Sequence, residues 1–316
     1  MVAGHHLQAH LPSAAAPPGQ WASLLGLKRP GVTVTGVLPD DDWDERWDGI
    51  VVDPGLKSRL LSFGLFCVTQ RESLSAVSLP VHGLALLAGP PGTGKTTLAH
   101  GLANQLARVL RDRGLADAVM FAVVDPHAFP SEFLGESQRA VSRLFADTLP
   151  ELASHAMPTV ILLDEVEALA VARSRASFDT NPVDVHRATD AVLTGLDQIA
   201  AAHRNVVLVA TTNEEDSVDR AFLSRVDLRE HFGLPDEAVI AQILAATLAE
   251  FGIEVAGDDA RLRDLARVGF AQGLDARRTR KLVLRALVSN GPEVALEPKL
   301  LTIEHVQHAL DSIDEK

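Results

Sequence analysis

A doubly wound α/β domain followed by an all-helical one is the fold class that this chain predicts, and three observations predict it. Four apolar runs of strand length, Leu84 to Ala88, Val119 to Val124, Thr159 to Leu163 and Val206 to Thr211, lack polar alternation, as strands buried on both faces of a parallel sheet do. Helical periodicities lie between them: Leu98, Leu102, Leu106 and Val109 after the first run, and Val185, Ala188, Val192, Leu196 and Ile199 before the last. Beyond Pro235 the β-rich runs stop, and Val239, Ile243, Thr247 and Phe251 recur at helical spacing, with further helical stretches at 262–266, 279–287 and 303–310. Strand, helix, strand, repeated, is the pattern of a parallel sheet with helices on both faces.

Each segment follows from its composition. Residues 1–42 are rich in Ala, Pro and Gly and close on Asp40-Asp41-Asp42, which predicts a short flexible N-terminal segment or a very small N-terminal element. The compact α/β part is expected over 43–234 and the helical part over 235–316. With 316 residues, 47% of them hydrophobic, the chain has the length for about two domains and the apolar content for a substantial core. Its 29 basic and 42 acidic residues give a net charge of −13, which repels nucleic-acid backbones and anionic membrane surfaces. The single cysteine, Cys67, forms no internal disulfide and builds no Cys zinc site, in keeping with a reducing cytoplasm. No apolar run approaches the roughly 18 residues of a membrane helix. His5, His6 and His10 have no carboxylate or thiol beside them and are read as part of the terminal segment.

Gly89-Pro90-Pro91-Gly92-Thr93-Gly94-Lys95-Thr96 fits the P-loop pattern of Gly, four residues, then Gly-Lys-Thr, and it follows a predicted strand and opens a predicted helix. Glycines let backbone N–H groups curl around phosphates, the helix N-terminus adds positive partial charge, Lys95 bridges phosphate oxygens, and the Thr96 hydroxyl suits Mg²⁺. Downstream, Val160-Ile161-Leu162-Leu163 ends in Asp164-Glu165. The first carboxylate is placed to hold Mg²⁺ and the second to polarise attacking water. Acidic residues stabilising a helix N-terminus are the alternative, and the P-loop upstream favours the catalytic reading. Together the two motifs indicate NTP hydrolysis. Asn213 ends the next apolar strand, where the ligand crevice of a doubly wound sheet lies; its amide could orient the lytic water, and a plain turn or N-cap Asn fits equally well.

These motifs resemble the AAA+ ATPases, and the match narrows to the pachytene-checkpoint, or thyroid-receptor-interacting-protein, branch that remodels HORMA-domain proteins, including relatives in bacterial anti-phage cyclic-oligonucleotide (CBASS) operons. The resemblance rests on Trp47-Asp48-Gly49-Ile50-Val51, Gly89 to Thr97, Leu162 to Leu169 with Asp164-Glu165-Val166-Glu167, Ala191 to Ile199 with Leu196-Asp197-Gln198-Ile199, and Val218 to Asp227. It covers roughly 43–312 and implies a P-loop ATPase core with a C-terminal helical lid, using ATP and Mg²⁺.

Carried over to these positions, the resemblance makes Asn213 the sensor-1 residue. Arg225 becomes an arginine finger for a neighbouring subunit's nucleotide, with Arg229 ranked behind it, and Arg277 in Gly273-Leu274-Asp275-Ala276-Arg277 becomes the lid's phosphate-sensing arginine. The family has small residues before that arginine, so Asp275 departs from it, and Arg277, Arg278, Arg280 and Lys281 also read as a solvated basic face. Thr97 joins the nucleotide loop, Ile50 and Val51 line the adenine pocket, and Phe133 and Leu134, in Ser131 to Ser137, stand as a pore loop that grips polypeptide. A loop Phe is more often a core anchor. The implied protein is a cytoplasmic homohexamer that pulls on a HORMA-domain protein, with an indirect link to a cyclic-oligonucleotide synthase. A DNA-associated loader and a nucleotide-gated scaffold are the competing functions, and the net charge of −13 disfavours the first.

Overall fold

The computed structural model describes residues 31–74, 79–126, 136–153, 157–171, 182–256 and 259–312. Two compact units divide the chain, one of residues 1–88 and 96–231 and one of residues 89–95 and 232–316.

The first unit is built on a six-stranded sheet. Its strands are β1 (Val32–Leu38), β2 (Leu84–Ala88), β3 (Val119–Val124), β4 (Thr159–Leu163), β5 (Val206–Thr212) and β6 (Leu228–His231), in the order β1-β3-β4-β5-β2-β6. All pairs are parallel except β1 with β3. Every residue of β2 to β5 is buried, which is why those strands are continuous apolar runs. Helices of eight or more residues are α1 (Pro54–Thr69), α2 (Lys95–Asp112), α3 (Glu136–Arg143) and α4 (Pro182–Ala202). Alternate side chains of the strands enter two layers. Leu86, Ala122, Ile161, Leu163 and Leu208 pack with Phe145, Val192, Leu196 and Phe222 in one core. Phe121, one residue out of phase, meets Trp43 edge-on at 5.2 Å.

The expectation that residues 1–42 are a flexible segment is corrected over Val32–Leu38, which form β1. Val32, Thr33, Val34, Thr35 and Val37 are β-branched and suit a strand, and pairing with β3 covers an edge that the sheet would otherwise leave open. Pro30, Gly31, Gly36 and Pro39 mask this pattern in the composition. The acidic run that follows is also tied down. Buried Asn104 on α2 accepts from the Asp40 N–H at 2.8 Å and donates to Asp40 O and Asp44 Oδ1 at 2.9 and 2.8 Å, while Arg108 binds both carboxylate oxygens of Asp44 at 2.7 and 2.6 Å and Asp41 at 2.7 Å. A side chain at Gly101 would put its Cβ 2.7 Å from the Trp47 nitrogen, so glycine there lets residues 46–47 lie directly on α2.

The second unit holds α5 (Glu237–Glu250), α6 (Ala260–Ala271), α7 (Ala276–Ser289) and α8 (Ile303–Asp311), the four helices that the periodicity predicts. Asp236, Asp259, Asp275 and Thr302 cap them, each accepting from a backbone N–H of its first turn. Ile240, Leu244, Leu262, Leu265, Val283, Leu287, Val306 and Leu310 close one core. Among the described residues no helix is long and apolar enough to cross a membrane.

If Asn104 fastens the N-terminal strand segment to α2, Asn104→Ala removes three hydrogen bonds and lowers unfolding free energy by about 3 kcal/mol. A urea midpoint equal to wild type would contradict that role.

Candidate active site

Within the first unit the predicted hydrolytic residues converge at the carboxyl ends of β4 and β5. Asp164 and Glu165 follow β4 directly, and Asn213 follows β5. The Thr96 hydroxyl, on the first turn of α2, donates to Asp164 Oδ1 at 2.9 Å. A second hydroxyl, that of Thr211 in β5, donates to the same oxygen. Thr211 also accepts the Glu165 backbone N–H at 3.0 Å, so one buried hydroxyl aligns both acidic residues.

Glu165 itself has φ 51° and ψ 54°, and it is the one non-glycine residue with positive φ among the described residues. That left-handed backbone is strained for a residue with a side chain, and it turns the chain sharply out of β4. Asn213 Nδ2 then donates to Glu165 Oε1 at 3.3 Å, and the Asn213 backbone N–H donates to Glu167 Oε1 at 3.0 Å. The four residues Asp164, Glu165, Thr211 and Asn213 thus form one connected polar network. It offers hard oxygen donors, a hydroxyl and a carboxylate, of the kind that bind Mg²⁺ together with water and phosphate rather than in an all-protein cage. No cluster of three or more His, Cys, Asp or Glu suited to a metal occurs among the described residues.

The second unit contains the phosphate-loop residues Gly89, Pro90, Pro91, Gly92, Thr93, Gly94 and Lys95. Gly89 has φ 148° and Gly92 φ 81°. A Cβ at Gly89 would lie 2.1 Å from Phe232 O, and one at Gly92 would lie 2.6 Å from Asp275 Cγ. Only glycine meets both the backbone and the packing demands there. Lys95 Nζ donates to Gly89 O and Pro90 O at 2.7 and 2.9 Å, and Thr93 Oγ1 to Pro90 O at 2.9 Å, which curls the loop around its lysine. The Arg277 backbone N–H donates to Gly92 O at 3.2 Å, bringing the start of α7 against the loop; the Arg277 residue is exposed. Asp275, which departs from the small residues of the family pattern, is the N-cap of α7, accepting from the Arg278 N–H at 2.8 Å.

Arg225 is held within its own chain. Its Nε and Nη2 donate to the two carboxylate oxygens of Asp197 at 2.7 and 2.8 Å, and Nη1 donates to Ala221 O at 2.7 Å. His82 Nε2 lies 3.4 Å from the same carboxylate. The guanidinium holds Asp197 below the usual carboxylate range, and the carboxylate raises Arg225 in turn. The turn that carries Arg225 is anchored by Asp227, whose Oδ2 accepts from the Gly83 and Leu84 N–H groups at 2.7 and 3.0 Å. Arg229, the second-ranked arginine, donates to Leu223 O at 2.6 Å and to Glu215 Oε1 at 3.3 Å. Ile50 is buried, Val51 half-buried and Thr97 exposed. Phe133 and Leu134 lie outside the described residues.

Comparison with known proteins fits this geometry. Residues 85–234 match the model of the ATPase family associated with various cellular activities (AAA). CD-NTase-associated protein 6 of Pseudomonas aeruginosa is 41% identical over 284 residues, covering 89% of this chain and 91% of that protein. The chain belongs to the AAA ATPase family. The human pachytene checkpoint protein 2 homolog is 30% identical over 286 residues, with the chain spanning 83% of its own length and 66% of that protein; of the zebrafish homolog it spans half. Among solved structures, C. elegans PCH-2 superposes with a TM-score of 0.71 at 26% identity, covering 92% of this chain and 77% of that one. A chain of the E. coli MS115-1 HORMA:CdnC:Trip13 complex shares the fold with a TM-score of 0.72 at 19% identity, covering 89% of this chain and 95% of that one. The chain is therefore an ATPase that binds nucleotide.

Thr211 and Glu167 are the site residues that sequence reasoning assigned no role. Thr211 was legible only as a strand residue, although a Thr-Thr-Asn end to an otherwise apolar strand is a signal for a polar group at the crevice. Thr211→Val keeps the shape and loses the hydroxyl, so it is expected to lower ATP turnover about 10- to 100-fold, the usual cost of removing such a supporting bond, while ATP affinity stays within a few-fold of wild type. Wild-type turnover by the variant in a steady-state phosphate-release assay would contradict this.

Proposed function

We propose that the chain is a Mg-ATP-dependent protein remodeller, assembled as a hexameric ring in the cytoplasm, that pulls on a HORMA-domain protein and thereby regulates anti-phage signalling by a cyclic-oligonucleotide synthase. The observation that carries the hydrolytic half is the network joining Asp164, Glu165, Thr211 and Asn213. The partner half is supported by the 41% identity to a CD-NTase-associated protein and by the fold shared with a chain of a HORMA:CdnC:Trip13 complex.

In this reading the loop from Gly89 to Lys95 binds the phosphates of ATP through backbone N–H groups and the Lys95 ammonium, with Ile50, Val51 and Thr97 contributing to the rest of the nucleotide. Thr96 and Asp164 are the residues that would hold Mg²⁺, which neutralises phosphate charge as the bond to the leaving group weakens. Glu165 accepts a proton from water as its oxygen attacks the γ-phosphorus. Asn213 keeps Glu165 aimed, since its amide donates to Oε1. Arg225 of an adjoining copy supplies the remaining cation, and for that it exchanges all or part of its bonds to Asp197 for bonds to phosphate. Arg277 reports nucleotide state to the helical unit. Phe133 and Leu134 grip the extended client in the central pore.

Glu165→Gln keeps the shape of the side chain and removes the base. ATP turnover is expected to fall at least about 100-fold, and the variant, loaded with ATP, should retain a HORMA-domain partner through gel filtration that wild type releases. Turnover at the wild-type rate would overturn the hydrolytic assignment, and release of the partner by the ATP-loaded variant would overturn the remodelling one.

A further inference from the structure

We infer that Glu167 is a positioning residue for hydrolysis, acting through Asn213; the inference rests on the reading of Glu165 and Asn213 as the groups that handle the lytic water. β5 ends at Thr212, and its ladders with β4 and β2 reach only Ala210 and Thr212. Asn213 is thus the first residue beyond the β5 ladders. Glu167 supplies a tie to its backbone. It lies in the single turn Val166–Ala168 that follows the strained Glu165, and its Oε1 accepts the Asn213 N–H at 3.0 Å.

Two features separate this from ordinary turn packing. The other carboxylate oxygen, Glu167 Oε2, is buried and finds no hydrogen-bond partner among the described residues. A buried, unpartnered polar atom is costly, so a carboxylate here is not explained by stability. The second feature is what lies on the far side of the bond. Asn213 Nδ2 donates to Glu165 Oε1, so the chain of bonds runs from Glu167 to the Asn213 backbone, through its side chain, and back to Glu165. It closes a ring across the strand ends that spans three residues, Glu165 to Glu167, on one side and Asn213 on the other. Moving the Asn213 backbone moves the amide that aims Glu165, and Glu167 binds the N–H of that backbone. A resting bond of 3.3 Å between Asn213 and Glu165 is long enough that a small displacement loses it.

The test uses the full-length enzyme and three substitutions. Glu167→Met preserves volume and removes the acceptor, Glu167→Gln preserves an acceptor oxygen at the same reach, and Asn213→Ala removes the amide through which the effect passes. Glu167→Met is expected to lower kcat about tenfold or more with KM for ATP within about twofold of wild type, and Glu167→Gln to restore kcat to within about threefold. The double variant E167M/N213A should be no slower than N213A alone, because residues acting in series are not additive. Multiplicative losses in the double variant, a wild-type kcat for Glu167→Met, or a raised KM with kcat unchanged would each overturn the inference. Glu167→Gln as slow as Glu167→Met would overturn it too, by making charge rather than acceptance the operative property. These failures are distinct from failure of the hydrolytic reading itself, which would show as a wild-type chain without ATP turnover or as turnover that survives Glu165→Gln.

Discussion

Glu165 occupies a backbone conformation that side chains avoid, φ 51°, and the hydrogen bond from its N–H to Thr211 Oγ1 is the interaction on which the rest of the site depends. A strand continued straight past Asp164 would send successive side chains to opposite faces of the sheet. The left-handed turn breaks that alternation and brings Asp164, Glu165 and Glu167 into contact with the end of β5. Strain of this kind costs of order 1–3 kcal/mol and persists only where the surroundings over-determine it. Here they do: Thr211 grips Asp164 and Glu165, and Asn213 grips Glu165 and Glu167. The parallel register of β4 and β5, Leu163 opposite Ala210, sets Thr211 and Asn213 at the distance where those bonds form.

The same economy appears at Arg225. A long cationic side chain loses about 2 kcal/mol of rotamer entropy when it is fixed, and Asp197 with the Ala221 carbonyl fixes it within its own chain. Two N–H bonds go to the carboxylate and one to the carbonyl, leaving two of the five guanidinium N–H donors outside these contacts. Asp197 belongs to the Leu-Asp-Gln-Ile segment that, in sequence, carries the resemblance to the pachytene-checkpoint branch. Its contact with Arg225 gives that segment a physical task, linking α4 to the turn that bears Arg225.

Much of this was legible in the chain. Fully buried parallel strands must be continuous apolar runs, and β2, β3, β4 and β5 were located to within one residue on that ground; the phosphate loop was legible because its glycines and lysine are adjacent in sequence. What escaped reading did so for definite reasons. β1 is β-branched but bracketed by proline and glycine, so composition resembled a linker. β6, Leu-Arg-Glu-His, carries polar residues that only its pairing explains: Glu230 is buried because Arg59, 171 positions away, forks onto it at 2.6 and 2.7 Å. Thr211 and Glu167 gain their roles from partners 46 or 47 positions distant, a juxtaposition that exists only once β4 and β5 lie side by side. Sequence periodicity reports which face is buried, and it carries no information about which strand end meets which.

In the proposed assembly one copy contributes the carboxylate network and another contributes Arg225, which ATP turnover tests in mixtures of two variants, Glu165→Gln and Arg225→Ala, each purified alone and then combined. Each variant is expected to be nearly inactive by itself and mixing to restore turnover, because a site with its own Glu165 can then border a copy that retains Arg225. Mixtures that stay inactive while each variant still assembles, or an Arg225→Ala protein that turns over at the wild-type rate by itself, would contradict that arrangement.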